Sequence, residues 1–475
     1  MLAAKQWTWL FVSGDSGDWL AASTIWIVPQ PYGSPLYIIL GHLVKLLPFG
    51  NLALRMTLFL SVIPAAITVT TIYLIILEIT KKRDISFVCA IVMLASFVPL
   101  TQATVLEEYS IAVMFSVLAF YFYLLDKKWL VALSLGLGTA IHIVTLPVAL
   151  FWLVLNARNI KLWIKVLPLY FISGILPYSL ILLLMSSDAP PLIAEQGLSW
   201  QTLNNYIGST SVVGALSIAE APVRLFRLIA LLLSSLGLAV IPVWRALHDK
   251  WNIKIAMLTC TASFAIWYYT TCLDPTTWTY LVWAIPFLVI LCGIGLSRLP
   301  SFHTLIIWIS ALCLLAINGL CLNADVLSRA KPEAMEYYNQ LMSLPDGSAV
   351  LTFHGGNEGL GFDYVFSTGK KLIPIYLRDG NMSKYQSYLN WIHDTSGIQG
   401  SSTRELVESA LSQNIQVYLL QPDLFGWNKV FNNEPYSTRF VRVTSVNMSA
   451  EPITDTIGVV EWNPLKKLWQ LIAGL

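Results

Sequence analysis

Apolar runs of about 20 residues recur along this 475-residue chain, each closed by a short charged link. That is the length of helix needed to cross a hydrocarbon core of roughly 30 Å, where every backbone N–H and C=O must be satisfied within the segment. Crossings are expected near 55–78, 84–104, 109–126, 167–186, 223–244, 254–272, 279–297 and 304–322. Residues 129–156 are apolar but contain Pro147 and the polar pair Thr139 and His142, and read as two short helices that enter and return. The sum is an α-helical polytopic protein of about ten crossings. Hydrophobic residues make up 56% of the chain and charged residues 12%, about half the charged share of a soluble domain. A net charge of +2 gives no footing for a nucleic-acid partner. The partner that composition demands is the lipid bilayer.

Basic residues set the expected orientation. The links Lys81-Lys82-Arg83, Lys127-Lys128, Arg158 to Lys165, Arg245 to Lys254 and Arg298 fall on one side if the helices alternate. The opposite links, 104–108, 187–222 and 273–278, contain no Lys or Arg. Segment 1–50, loop 187–222 and the C-terminal region are then extracytoplasmic. Residues 35–49 are too short to span, and with His42 and Lys45 they read as a helix at the outer membrane face. The six cysteines lie in or beside apolar runs with no C-x-x-C pair, so they read as small apolar residues.

After Asn323 the pattern changes. Strand-like runs at 348–353, 371–376, 415–420 and 457–461, with helical patterns at 382–393 and 402–412, point to a small α/β domain. The expected division is a transmembrane catalytic domain over 1–325 and a soluble extracytoplasmic α/β domain over 326–475. The run His354-Gly355-Gly356-Asn357-Glu358 after a strand is a weak signal and reads as a plain loop. The sequons at Asn381 and Asn447 matter only in a host that glycosylates them.

The polar residues of the membrane half gather at the outer face. Asp15 and Asp18, in Ser13-Gly14-Asp15-Ser16-Gly17-Asp18, stand three apart on one face of a helix start. Such carboxylates either cap the helix or push their pKa values apart, as a general base requires; spacing leaves both open. Pro29 to Tyr37, which includes Gln30, is a rigid proline-rich turn or a plain connector. Glu107-Glu108-Tyr109 opens a crossing, where acidic groups suit the helix dipole and equally face the compartment of Asp15. Arg55, Arg224 and Arg227 at outer helix ends, and Lys45, either reach to lipid headgroups or hold a phosphate. His142 inside an apolar stretch is a functional candidate or a hydrogen-bonded packing residue. No metal ligand set is evident and no cofactor is expected; Asp15, Asp18 and Glu107 are the one set of carboxylates that could gather a divalent cation.

Three segments, DSGDWLAAS, PQPYGSPLYIILGHLVKLLPFG and RMTLFLS, resemble the opening of bacterial membrane proteins related to protein O-mannosyltransferases. That family carries D-S-G-E, H-P-P-G-Y-P-L-Y and R-x-N-L-x-S motifs, an E-V-Y motif matched by Glu107-Glu108-Tyr109, and a G-L-x-x-x-x-H motif matched by Gly136, Leu137 and His142. The resemblance covers roughly the first 180 residues and places the chain near the GT-C glycosyltransferases, which use polyprenyl-phosphate sugars. It implies transfer of mannose or another hexose to an acceptor hydroxyl, on protein or glycan, with inversion. Asp15 is then the base and Asp18 its companion. Glu107, Tyr109, Gln30, Tyr37 and His142 face substrate, and Arg55, Arg224, Arg227 and Lys45 face the lipid phosphate. Asp18 stands where the family has Glu, Gln30 where it has His, and Thr57 where it has Asn. The family also has a crossing before D-S-G-E, and only fourteen residues precede Asp15 here, so a helix missing at a misassigned start is expected.

Two other classes compete. A transporter or flippase requires ionisable groups near the bilayer midplane and a repeated hydropathy pattern. A non-catalytic assembly subunit requires a degenerate site. The orientation has a direct test in a cysteine-free background. In intact cells a membrane-impermeant maleimide labels Ser187→Cys and leaves Lys127→Cys unlabelled; the reverse pattern overturns it.

Overall fold

The computed structural model describes residues 19–20, 22–24, 26, 34–49, 52–142, 145–146, 148–149, 152, 160–184, 221–246, 281–329, 342–352, 372–376, 409–420 and 441–443. These are mostly helical. In chain order the helices are α1 (Pro35–Lys45), α2 (Leu52–Thr80), α3 (Arg83–Ala95), α4 (Phe97–Gln102), α5 (Tyr109–Leu124), α6 (Lys128–Ile141) and α7 (Ile160–Leu184). They continue with α8 (Ala221–Leu236), α9 (Val240–Ala246), α10 (Ala284–Leu296) and α11 (Ser301–Arg329). Among the described residues four helical stretches are long and apolar enough to cross a membrane: Leu52–Thr80, Ile164–Ile181, Leu228–Ala246 and Ser301–Leu320. Tyr109–Leu124, Lys128–Ile141 and Leu281–Leu296 are apolar but shorter. The crossing expected at 254–272 and the strand expected at 457–461 lie outside the described residues.

The long helices turn apolar side chains outward. Ile164, Phe171, Ile172, Ile175, Leu176 and Leu183 on α7 are exposed, a face that fits lipid and would be a liability in water. The interior is one apolar cluster running from Trp19 through α2, α3, α5 and α6 to α10.

Local breaks in the helices have chemical causes. Pro64 has no N–H to give the carbonyl of Leu60, and the turn before it widens into a π-helix over Thr57–Val62, with the Ile63 N–H reaching back to Leu58 O. The run expected as one crossing over 84–104 is two helices. Ser96 is extended (φ −63°, ψ 125°) and Pro99 falls in the first turn of α4, where a missing donor does no harm. A continuous helix would have driven the Pro99 ring into the carbonyl of Ala95.

Helices α6 and α7 cross where Gly136 meets Ser173. A Cβ on Gly136 would sit 1.9 Å from Ser173 Oγ and 2.5 Å from the Tyr170 carbonyl oxygen. Small residues that let backbones approach are the usual currency of contact between helices in lipid. The crossing is fastened by Thr139 Oγ1 and the Tyr170 hydroxyl at 3.2 Å. It holds the end of α6, and with it His142, against the bundle.

Beyond the helices, β1 (Ala349–Thr352), β2 (Ile373–Tyr376), β3 (Val417–Leu420) and β4 (Val441–Val443) form an all-parallel sheet in the order β2-β1-β3-β4. Three strands lie inside expected runs; β4 does not. Pro374 is tolerated because β2 is an edge. A short helical turn at 409–412 ends with Asn414 in the left-handed region (φ 59°) and the Ile415 N–H on Ala410 O, which delivers the chain into β3.

Gly136→Ala is expected to lower the thermal unfolding temperature in detergent, with a loss of about 1–3 kcal/mol for overpacking. Adding Ser173→Ala recovers only part of it, because the Tyr170 carbonyl still opposes the methyl. Full recovery would show that the side chain alone sets the crossing.

Candidate functional site

The described residues with the strongest claim to chemistry surround the turn that precedes α5. Glu107 and Glu108 are 4% and 1% exposed. Two adjacent carboxylates removed from water need partners, since an uncompensated buried charge costs several kcal/mol. Their turn is pinned from below: Ser61 in the π-helix donates to Val105 O at 2.7 Å, and Ser110 donates to Gln102 O at 3.0 Å. The widened turn that Pro64 imposes thus places a buried hydroxyl under the carboxylates.

The two acids face different groups. Glu107 Oε2 accepts the indole N–H of Trp19 at 3.3 Å. Glu108 is the N-cap residue of α5 but makes no side-chain capping bond; its Oε1 stands 3.6 Å from His142 Nε2. His142 occupies this place because α6 ends on it, with its backbone extended and its N–H on Gly138 O. Thr145 folds back to donate to the same carbonyl at 3.1 Å.

Aromatic rings wall the acids. Tyr109 packs edge-on against His142 and Trp283, with centroids 5.4 and 5.5 Å apart, and His142 to Trp283 is 5.3 Å. Tyr37, fully buried on α1, packs edge-on against Trp19 at 5.2 Å. Its hydroxyl has no hydrogen-bond partner among the described residues. Burial, and then the nearby Glu108 and Glu107 carboxylates, push that hydroxyl well above its usual pKa range, so it stays a protonated donor. The site therefore combines two buried acids, an imidazole and a phenol donor within aromatic walls.

Glu107, Tyr109, Tyr37 and His142, expected on the substrate side, come together here. Asp15, Asp18 and Gln30 lie outside the described residues. The expected cations lie elsewhere. Arg55 donates to Lys45 O at 2.8 Å and also to Leu47 O, which closes the C-terminal end of α1. Lys45 Nζ donates to Thr24 O at 3.3 Å. Both sit at the end of α1 opposite Tyr37, about 12 Å along the helix. Arg224 and Arg227 are in the first two turns of α8, and their side chains are outside the described set. Among the described residues no three of His, Cys, Asp and Glu gather as a metal site.

Sequence reasoning gave Glu107 the site role and left Glu108 out, yet Glu108 is the acid beside His142. Trp19 and Trp283 were also missed. Trp19 follows Asp18 directly and carried a signal as the first residue of the motif's helix. Trp283 had none, being 141 positions from His142 in the chain.

Segment α1 is held to the 19–26 region. The His42 ring stacks on Trp26 at 3.7 Å, and its Nε2 lies 3.0 Å from Ala22 O. The residues that follow Asp15 and Asp18 are thus tied both to α1 and, through Trp19, to Glu107.

Residues 15–163 match the model of the N-terminal domain of the protein O-mannosyl-transferase TMEM260. The matched stretch opens on Asp15 and contains Trp19, Tyr37, Glu107, Glu108, Tyr109 and His142. No curated protein matches the chain.

Trp19→Phe keeps a ring and removes the N–H. It is expected to lower stability by about 1–3 kcal/mol because it leaves a buried carboxylate short of a donor. Unfolding in detergent, followed by tryptophan fluorescence, measures this; an unchanged midpoint would overturn the Glu107 bond.

Proposed function

We propose that this chain is a membrane glycosyltransferase. It moves a hexose, mannose in the favoured case, from a polyprenyl-phosphate donor to an acceptor hydroxyl, on protein in the favoured case. The observation that carries the reading is the agreement between the matched stretch and the site: the similarity to a protein O-mannosyl-transferase domain begins at Asp15 and spans the buried acid–histidine cluster.

In this reading the fold is GT-C-like with about ten crossings, and the active site and a C-terminal α/β domain face the extracytoplasmic side. Asp15 takes the proton from the acceptor hydroxyl as its oxygen bonds to the anomeric carbon. The bond from that carbon to the phosphate oxygen breaks on the opposite face, so the configuration inverts and the lipid phosphate leaves as the anion. Asp18 sets the acceptor or tunes Asp15. Arg224 and Arg227 face the leaving phosphate, where a guanidinium fork matches the growing charge. Arg55 and Lys45 are weaker candidates for that role, because backbone carbonyls of α1 and its neighbouring segment already engage them.

The buried cluster suits the sugar side. The Tyr37 phenol is a fixed donor, and Tyr109 and Trp283 supply apolar ring faces and edges against which a pyranose packs. Glu107 and Glu108 are acceptors for sugar hydroxyls. The reaction needs no metal. In this reading the C-terminal domain helps bind the acceptor.

The test is sugar release from a radiolabelled polyprenyl-phosphate hexose by purified protein in liposomes. Wild type is expected to consume donor and Asp15→Asn to be slower by about 10²–10⁴-fold. If no donor in a panel is consumed, even with host membrane extract as acceptor, the enzyme reading falls and lipid transport becomes the reading to test.

A further inference from the structure

Two helices are broken at matching depth, and one amide spans the breaks. Helix α3 ends at Ala95, and Ser96 turns the chain into α4. Helix α8 ends at Leu236, and Gly237 (φ 53°) opens a 3-10 turn before α9. A side chain at Gly237 would be strained by its backbone and would also strike Leu314 and Ser310 of α11. Asn318 of α11, 4% exposed, donates one Nδ2–H to Ala95 O at 2.7 Å and the other to Ser234 O at 2.9 Å. Both amide protons are thereby used. Ser96 Oγ lies 2.8 Å from Val92 O and 2.6 Å from Ser235 O, and Ser310 Oγ takes the Leu238 N–H at 3.3 Å.

Counting from Arg83 on α3, Arg245 on α9 and Ser301 at the start of α11, this node lies about 17–26 Å along each helical path at 1.5 Å per residue. It falls inside a hydrocarbon core of roughly 30 Å. No water competes there for the carbonyls that the breaks release, so protein must satisfy them.

The breaks also lead somewhere. From Ser96, α4 and the turn after it run directly to Glu107 and Glu108. From Ser234, α8 runs back about 10–15 Å to the turns that carry Arg227 and Arg224. We propose that Asn318 is a positioning residue: by joining the two broken ends, it fixes the carboxylate turn relative to the arginine-bearing helix. This rests on the functional reading above in giving the two elements a shared substrate. The joining itself does not depend on it. The coupled elements hold opposite ends of one donor, the sugar and its phosphate, so a slip between them acts on the reaction step. A misplacement of about 1 Å is enough to slow an oriented reaction about 100-fold.

The experiment uses the full chain in liposomes and compares wild type, Asn318→Leu and Ser234→Ala. The last removes a hydroxyl but leaves the carbonyl that Asn318 holds. Amide hydrogen exchange is expected to rise in Asn318→Leu at both 97–108 and 231–239, with 128–141 unchanged. On the polyprenyl-phosphate hexose, kcat is expected to fall about 10–100-fold with KM altered less than about threefold. Ser234→Ala stays at wild-type values in both. Unchanged exchange at either break, or a uniform rise through all helices, would overturn the proposal. So would an unaltered kcat in a wild type that turns donor over. If wild type consumes no donor, the glycosyltransferase reading fails instead, and the exchange pattern still decides the coupling. Should Asn318→Leu not fold, Asn318→Ser, which keeps one donor, carries the same measurements with smaller expected changes.

Discussion

The burial of Glu107 and Glu108 is the constraint around which the membrane half is built. Two neighbouring carboxylates at 4% and 1% exposure are stable only if the surrounding elements bring them partners. Four separate parts of the chain close around them: Trp19 donates to Glu107, His142 from the end of α6 stands beside Glu108, Ser61 of α2 pins the backbone of their turn, and Tyr37 of α1 is buried nearby. None of these contacts is local in sequence. The site therefore requires α1, α2, α5 and α6 to assemble together, which is also what the apolar cluster around them requires. Packing and polar satisfaction ask for the same arrangement, as expected of a sequence with one preferred structure.

Regular helices alone would not deliver these groups. The π-helix forced by Pro64 brings Ser61 under the carboxylate turn. The break before Pro99 bends the chain toward that turn. The close crossing at Gly136 seats His142. Where α3 and α8 break, hydroxyls and an amide meet the backbone groups, because the bilayer offers no water to do it. Ser96, Ser235, Ser310 and Asn318 serve that purpose there.

The sequence was most legible where composition acts directly. Hydropathy located the long helices, with Leu52–Thr80 and Ser301–Leu320 close to the expected runs, and three short strands fall within expected apolar segments. Helix interruptions were less legible because an apolar run reads the same whether it is one helix or two. Pro99 was visible, but its effect depends on whether the helix restarts before it. The acid pair was visible too, but which carboxylate meets His142 depends on how α5 begins. Asn318 carried a usable signal, an amide within an apolar run, and was passed over because it does not ionise. Trp283 was beyond reach, since only the packing of α10 against α5 brings its ring to Tyr109.

Where the polar groups lie also bears on the competing classes. A transporter concentrates ionisable side chains along a path through the bilayer. Here the buried carboxylates stand at the N-terminal end of α5, and the node at the breaks of α3 and α8 is built from hydroxyls and one amide that bond to backbone groups. None of the node's groups ionises. The Tyr37 hydroxyl differs: it is buried, protonated and without a partner among the described residues. A donor held in reserve beside two acids is of little use to a pathway for ions. It is what recognition of a neutral, hydroxyl-rich ligand requires, and so the charge distribution of the bundle and the chemistry of its acid cluster favour the same class.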